Sequence, residues 1–81
     1  MTEVKIVSEY IKLGQFLKFA AIISNGAEAK QFLEFNKVYV NSELDQRRGR
    51  KLYPNDIVKV LNKEYIIKAE SVWNHKLRVL H

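Results

Sequence analysis

The sequence contains no cysteine, only one proline and three glycines among its 81 residues, and no long apolar run. The absence of cysteine excludes a disulfide framework and thiolate-based metal or redox chemistry. No apolar stretch approaches membrane-spanning length, and charged and apolar residues alternate through the first ten positions, "MTEVKIVSEY". We therefore expect neither a membrane span nor a signal peptide, and we predict a cytoplasmic protein without membrane partners.

Signatures of catalysis and of cofactor binding are missing as well. His75 and His81 lie six residues apart, and no cysteine or carboxylate cluster accompanies them at metal-ligand spacing. The sequence has no GxxxxGK[ST] phosphate loop, no spacing that supports a Ser/His/Asp constellation and no evident carboxylate pair. We predict that the chain is not an enzyme and that it holds no metal and no cofactor.

The chain does have enough apolar material for one small core. Hydrophobic residues make up 47% of it and charged residues 28%, without an internal repeat or a low-complexity segment. This composition is typical of a globular protein. A chain of 81 residues has room for one domain, so we expect a single domain over residues 1–81 with modest stability.

Positive charge is concentrated in one short stretch. The formal net charge is +5, from 14 Lys and Arg against 9 Asp and Glu. Residues 46–51 carry +4 of it and contain no acid; the cations are Arg47, Arg48, Arg50 and Lys51. A focused positive potential attracts polyanions such as nucleic acid. A solvated loop without a ligand would also tolerate such a run, so both interpretations stay open at this point.

Two apolar stripes predict two helices. From Lys12 onward, apolar residues recur at three- and four-residue spacing: Leu13, Phe16, Leu17, Ala20 and Ile23. After a turn at 24–26, a second stripe contains Ala29, Phe32 and Leu33. We expect Ser24 to cap this second helix, and Asn36 to end it in the left-handed conformation.

The remaining patterns predict strands. Val4 and Ile6 suggest a short extended opening, and Val38 and Val40 a strand. A turn at 54–56, the strand "IVKVL", a reversal at Asn62 and Lys63 and the strand "EYIIKAE" follow. We predict an α+β fold with two N-terminal helices packed on a small, mainly antiparallel β-sheet. The pattern of the tail from Ser71 to His81 does not decide between a strand and a helix.

Three stretches in a fixed order carry a family resemblance: "LGQFLKF", "SNGAEAKQFLEFNKVYVNSEL" and "RRGRKLYPNDIVKV". Together they resemble the RNA-binding domain first seen in ribosomal protein S-four (S4-like, with an αL-type RNA-binding motif). Most similar are the small stand-alone bacterial YaaA-like proteins. The resemblance covers about residues 10–61. It implies a non-catalytic module that docks on structured RNA, ribosomal or transfer RNA, with the two helices and the following loop.

The sequence departs from the family pattern at four positions where the family usually has glycine: Asn25, Asn36, Ser42 and Asn55. Asparagine is the non-glycine residue that best tolerates a positive φ. We therefore expect the family's backbone geometry to persist at the three asparagines. The turn type at Ser42 stays open.

The residues offer chemistry that matches this implied function. Arginine presents a planar fork that engages phosphate oxygens in pairs, and Gly49 would let the neighbouring arginines spread. Unpaired N–H groups at the start of the second helix would form a second phosphate seat. The candidate RNA-binding residues are Arg47, Arg48, Arg50, Lys51, Lys30, Ser24, Asn25, Gly26, Lys12 and Lys18. For Ser24 a purely capping role, and for the three isolated lysines a solvated surface, remain the simpler alternatives.

Other functions also fit the sequence. The protein could be a basic DNA-binding accessory, or a protein-interaction adaptor in a larger ribonucleoprotein or replication/repair complex that uses an exposed strand or the tail around Trp73. A ribosomal or other protein partner is compatible with either. The aromatic residues are mostly spaced like core residues, and we expect Tyr39 and Tyr53 to be the exposed ones that could stack on bases.

Overall fold

The computed structural model of the chain describes residues 1–70, so the tail that the sequence leaves unassigned lies outside the described residues. These residues form seven strands, two α-helices and one 3-10 helix. In chain order they are β1 (Thr2–Ile6), β2 (Ile11–Lys12), α1 (Leu13–Phe19), a 3-10 helix (Gly26–Glu28), α2 (Ala29–Phe35), β3 (Val38–Val40), β4 (Glu43–Leu44), β5 (Lys51–Leu52), β6 (Ile57–Val60) and β7 (Lys63–Ala69).

Five strands form one mixed sheet in the order β1-β7-β6-β3-β4. Strands β7, β6, β3 and β4 pair antiparallel, whereas β1 pairs parallel with β7, with Val4 opposite Ile67. Strands β2 and β5 form a separate two-stranded ladder, with Lys12 opposite Lys51. Successive side chains of a strand point to opposite faces of the sheet. Two valines two residues apart in β3 and two in β6 therefore share one face, and all four are buried in the core: Val38, Val40, Val58 and Val60.

The predicted fold is confirmed only in its coarser form. The chain has an α+β fold with two helices, but β1 and β2 precede both helices, so the helices are not at the N-terminus. The extended opening at Val4 and Ile6 is present as β1. Its parallel partner lies about sixty residues further along the chain, and a local pattern contains no information on such a pairing.

Helix α1 ends earlier than its apolar stripe suggests. Ala21 has a positive φ of 60°, and the N–H groups of Ala21 and Ile22 donate to the carbonyls of Lys18 and Leu17 at 3.0 and 2.9 Å. This is a Schellman ending with alanine at the position where glycine is usual. The prediction that the helix continues to Ile23 is therefore wrong, although Ile23 is buried as expected.

The start of the second helix is capped by Asn25 and not by Ser24, which corrects the sequence prediction. Asn25 Oδ1 accepts a hydrogen bond from the Ala27 N–H at 3.0 Å. In return, Glu28 Oε1 accepts from the N–H groups of Ser24 and Asn25, both at 3.1 Å. This reciprocal pair is a capping box, with asparagine and glutamate three residues apart.

Positive φ angles occur at only some of the expected positions. Asn55 (80°) and Ser42 (71°) are left-handed, whereas Asn25 (−149°) and Asn36 (−133°) are extended, so the expectation fails at these two asparagines. Asn36 still ends α2, because its N–H and its Nδ2 both donate to the Phe32 carbonyl. The β6–β7 reversal uses Leu61 and Asn62 with φ of 52° and 61°, one residue earlier than predicted.

A single core joins the helices to the sheet. The ring of Phe16 in α1 meets the ring of Tyr65 in β7 edge-on, with centroids 5.3 Å apart. Edge-to-face contacts of this kind stabilise by about 0.5–1.5 kcal/mol beyond the burial of apolar area. The core contains Val4, Ile6, Leu13, Phe16, Leu17, Ile23, Ala29, Leu33, Val38, Val40, Leu52, Val58, Val60, Tyr65 and Ile67.

Candidate nucleic-acid interface

The basic segment forms a loop between β4 and β5 that is fixed to the start of α1. The N–H of Leu13 donates to the Arg50 carbonyl at 2.7 Å, and the N–H of Gly14 donates to the Arg48 carbonyl at 2.9 Å. The first N–H groups of a helix have no partner within the helix. Here the loop supplies two of the missing acceptors, so its backbone is held against α1.

Asp45 is the buried anchor of the same loop. Asp45 is 7% exposed. Its carboxylate accepts hydrogen bonds from the N–H, Nε and Nη2 of Arg47 at 3.0, 3.1 and 2.8 Å, and from Nη1 of Arg50 at 2.8 Å. The bonds from the Arg47 side chain, supported by its N–H and by Arg50, outweigh burial and hold the pKa of Asp45 well below its ordinary value of 3.8.

The ion pairs divide the loop arginines into two kinds. Arg47 and Arg50 both bind Asp45, with the Arg50 side chain 29% exposed and the Arg47 side chain 74% exposed. Arg48 is exposed and makes no side-chain ion pair with any residue among positions 1–70. Arg48 is therefore the loop arginine whose charge is least neutralised by the chain itself.

A depression with a volume of about 420 Å³ lies between the basic loop, α1 and the 3-10 helix. We refer to it as the basic hollow. It is lined by Lys12, Gly14, Gln15, Lys18, Gly26, Ala29, Arg48 and Gly49. Three cations from two separate parts of the chain line it, and none of these lining residues is acidic. The basic hollow brings together four of the candidates from the sequence: Lys12, Lys18, Gly26 and Arg48.

A second depression, of about 430 Å³, adjoins the basic hollow at Arg48 and is lined by Lys30, Leu33, Glu34, Gln46 and Arg48. Gln46 Nε2 donates to the Leu33 carbonyl at 2.6 Å and so joins the loop to α2. Lys30 therefore shares a depression with Arg48, but not the one that Lys12 and Lys18 line. Glu34 gives this depression a mixed charge, unlike that of the basic hollow.

The N–H donors at the start of the second helix are largely occupied. Those of Ser24, Asn25 and Ala27 already donate to side-chain oxygens of Glu28 and Asn25. The Glu28 carboxylate at this position is also unfavourable for a phosphate. Gly26 is the residue of this segment that lines the basic hollow. The phosphate seat that the sequence suggests at 24–26 stays a prediction.

Lys51 and the aromatic residues are placed differently from the sequence expectation. Lys51 does not line the basic hollow; its Nζ lies 4.8 Å from the ring centroid of Tyr10, a cation–π contact. Phe19 and Phe35 are 64% and 76% exposed, so the expectation that the phenylalanines pack in the core is wrong for these two. Tyr53 is exposed as expected, whereas Tyr39 is half-buried.

The S4 domain is the family whose pattern matches residues 4–68. The chain belongs to the S4 domain family. Over 57 residues it is 53% identical to a protein of Bacillus subtilis (strain 168) described as a probable ribosome maturation protein, RlbA. That similarity covers 70% of this chain and 80% of the relative. The resemblance seen in the sequence is thereby confirmed.

The family match over residues 4–68 is wider than the range of about residues 10–61 in which the sequence resembles the S4 domain. It takes in most of β1 and β7, the two strands whose parallel pairing the sequence does not reveal. Among residues 1–70 of the chain, no three His, Cys, Asp or Glu side chains are grouped so that they could hold a metal ion. The same residues include no helix long and apolar enough to cross a membrane.

Proposed function

We propose that this S4 domain is a non-catalytic, cytoplasmic RNA-binding module that acts in ribosome maturation and holds phosphates of a folded RNA in the basic hollow. The observation that carries the proposal is the convergence of Lys12, Lys18 and Arg48 on one concave surface whose lining contains no acid. The name of the relative, a probable ribosome maturation protein, supports ribosomal RNA as the ligand over transfer RNA.

The residues of the basic hollow suit a phosphate backbone more than a base sequence. The Arg48 guanidinium engages two phosphate oxygens at once, and the two lysines act as mobile point charges. The carbonyl of Arg48 is bonded to Gly14, so the backbone beneath this guanidinium is already fixed before RNA arrives. Lys30 extends the cationic path beyond Arg48. Contacts of this kind fix position and orientation on RNA without reading its sequence.

The arginines that bind Asp45 contribute differently. Arg50 is mostly buried and its guanidinium is directed at Asp45, so we assign it a role in loop shape. Arg47 is well exposed, and the part of its guanidinium that does not face Asp45 can still meet a phosphate. Lys51 lies over Tyr10 and contributes from the edge of the surface.

The dependence of RNA affinity on salt tests the proposal. If four to six phosphates are engaged, log Kobs should fall with log salt at a slope of about −3 to −5. Lys12→Gln with Lys18→Gln should reduce the magnitude of that slope by about 2, and Arg48→Gln by about 1. The matched control is Lys59→Gln with Lys63→Gln, which removes the same charge from exposed lysines that do not line the basic hollow.

Several results would contradict the proposal. A salt slope near zero for the unsubstituted protein would remove the electrostatic mechanism. An equal loss for the control pair and for the Lys12 and Lys18 pair would show that net charge matters and the basic hollow does not. Equal competition by duplex DNA and duplex RNA of the same length would favour a DNA-binding accessory, because A-form shape and 2′-hydroxyls should matter to an RNA reader.

A further inference from the structure

An exposed aromatic ring borders a third depression, next to α1. Phe19 is the last residue of that helix, and 64% of it is exposed although Phe16 and Leu17 beside it are fully buried. It borders a depression of about 500 Å³, the aromatic hollow, which is lined by Ser8, Tyr10, Ile11, Gln15, Lys18 and Phe19. Depressions of this volume are in the range that receives small organic groups.

The aromatic hollow adjoins the basic hollow. Gln15 and Lys18 line both of them, and the two residues lie three apart on α1, which places them on one side of the helix. A chain of nucleotides that follows the basic hollow past Lys18 would therefore arrive at Phe19. Lys18 stands between the two, where it can contact a phosphate on either side.

The Tyr10 part of the lining of the aromatic hollow is fixed by its own contacts. The Tyr10 ring lies 5.8 Å from the Tyr53 ring between centroids, and Lys51 Nζ approaches it to 4.8 Å. Ser8 Oγ donates to the Tyr10 carbonyl at 2.7 Å, which holds the backbone of this segment. Tyr10 is thus a preformed wall, whereas the Phe19 ring has no aromatic partner among residues 1–70.

We propose that the aromatic hollow receives one unpaired nucleobase of the RNA whose phosphates occupy the basic hollow, with the base stacked on Phe19. This inference rests on the proposed function and makes it more specific. A nucleobase offers an uncharged π-face to the ring, while the phosphates next to it require a cation such as Lys18, which lines both hollows. The preferred RNA is then a stem with a bulged or looped-out nucleotide and not an uninterrupted duplex.

Binding to three related RNAs tests the inference. The probes are a hairpin with one bulged adenosine, the same hairpin without the bulge, and the same bulge with an abasic nucleotide. The wild-type protein should bind the bulged hairpin most tightly. Phe19→Ala should weaken that complex by about 5- to 150-fold, the range expected for loss of one base–aromatic stack, and should leave affinity for the other two RNAs unchanged.

Matched variants separate stacking from other roles of the ring. Phe19→Trp should retain the preference for the bulge, and Phe19→Leu should lose it, because only an aromatic face stacks. Phe35→Ala is the control, since Phe35 is also exposed and also ends a helix but lines neither hollow. With 2-aminopurine at the bulge, the wild-type protein should quench fluorescence further on binding, and Phe19→Ala should not.

The outcomes distinguish this inference from the proposed function. If the wild-type protein binds all three RNAs alike and Phe19→Ala changes nothing, the base site is refuted while phosphate binding stands. If Phe19→Ala weakens all three equally, or lowers the thermal unfolding temperature as much as a core substitution, the ring supports the fold and the inference fails. If no RNA binds with a salt-dependent affinity, both proposals fall.

Discussion

Replacing Asp45 by asparagine tests whether one buried carboxylate holds the basic loop in shape. The change keeps the size of the side chain and one oxygen, so Oδ1 can still accept from the Arg47 N–H. It replaces the oxygen that faces Arg50 Nη1 by an NH2 group, which cannot accept a hydrogen bond, and it removes the negative charge. The Arg50 side chain, which is 29% exposed, is then left without its anionic partner.

The expected loss of stability follows from the exposure of the two arginines. The Arg47 side chain is 74% exposed and recovers its hydration, so we assign no energy to its ion pair. The Arg50 contact is screened less, and a hydrogen bond to a charged group contributes about 1.5–3 kcal/mol, so we expect a loss of about 2 kcal/mol. In a domain of this size that corresponds to a decrease in Tm of about 8–16 °C.

The pH dependence of unfolding provides the matching measurement. The pKa of Asp45 is lower in the folded protein than its ordinary value of 3.8, so the carboxylate stabilises the fold above about pH 4. This contribution is lost as the pH falls below about 4 toward the folded-state pKa. Urea unfolding of both proteins from pH 7 to pH 2 should therefore give free energies of unfolding that move closer together as the pH falls below about 4. A difference that is below about 0.5 kcal/mol at pH 7, or that stays constant to pH 2, would refute the role given to Asp45.

The same variant separates loop geometry from net charge in RNA binding. Asp45→Asn raises the formal net charge from +5 to +6, so electrostatics alone predicts tighter binding. If the carboxylate instead fixes the loop that presents Arg48, binding should weaken. Measurement at a temperature at which both proteins are folded decides between the two. Tighter binding would show that Arg48 does not need a fixed loop.

Two backbone predictions follow from helix α1. A Cβ at Gly14 would lie 3.4 Å from Ala29 Cβ and from the Cβ and carbonyl oxygen of Arg48, so Gly14→Ala should be tolerated. Gly14→Val adds two methyl groups beyond this contact, so it should lower the free energy of unfolding by about 1–3 kcal/mol and weaken RNA binding. Equal stability of the two variants in urea would contradict this packing. Ala21→Gly should stabilise by up to about 1 kcal/mol because Ala21 has a φ of 60°, while the control Ala20→Gly, at −82°, should destabilise by up to about 1 kcal/mol. Thermal unfolding of both variants measures this pair, and the same sign for both would contradict the Schellman ending.

Local periodicity was sufficient for the elements whose partners lie nearby. The three- and four-residue spacing of Leu13, Phe16 and Leu17 identified α1, and alternating valines identified β3 and β6. The end of α1 could not be found in this way, because Ala21 takes the left-handed position without the glycine that normally signals it. The capping box of Asn25 and Glu28 was visible as a three-residue spacing and could have been recognised.

The site was predictable as a concentration of charge but not as a geometry. The sequence located the arginines, yet only the fold shows that Asp45 binds Arg47 and Arg50 and leaves Arg48 free of ion pairs among the described residues. An acid close in sequence to several arginines does not reveal which of them it binds. The exposure of Phe19 was missed because its three-residue distance from Phe16 is the spacing of a core stripe.

The positive character of the basic hollow depends on where the hydrogen-bond acceptors of the loop are directed, and not only on the three cations that line it. A loop also carries carbonyl oxygens, and these repel phosphate as the cations attract it. Here the carbonyls of Arg48 and Arg50 are bonded to the N–H groups of Gly14 and Leu13, and the Asp45 carboxylate is buried. The first N–H groups of α1 have no partner within the helix, so they bind these carbonyl oxygens of the loop and direct them toward the helix. A side chain larger than alanine at position 14 would press on Ala29 and Arg48. We therefore expect Gly14→Val to weaken RNA binding although the number of cations stays the same.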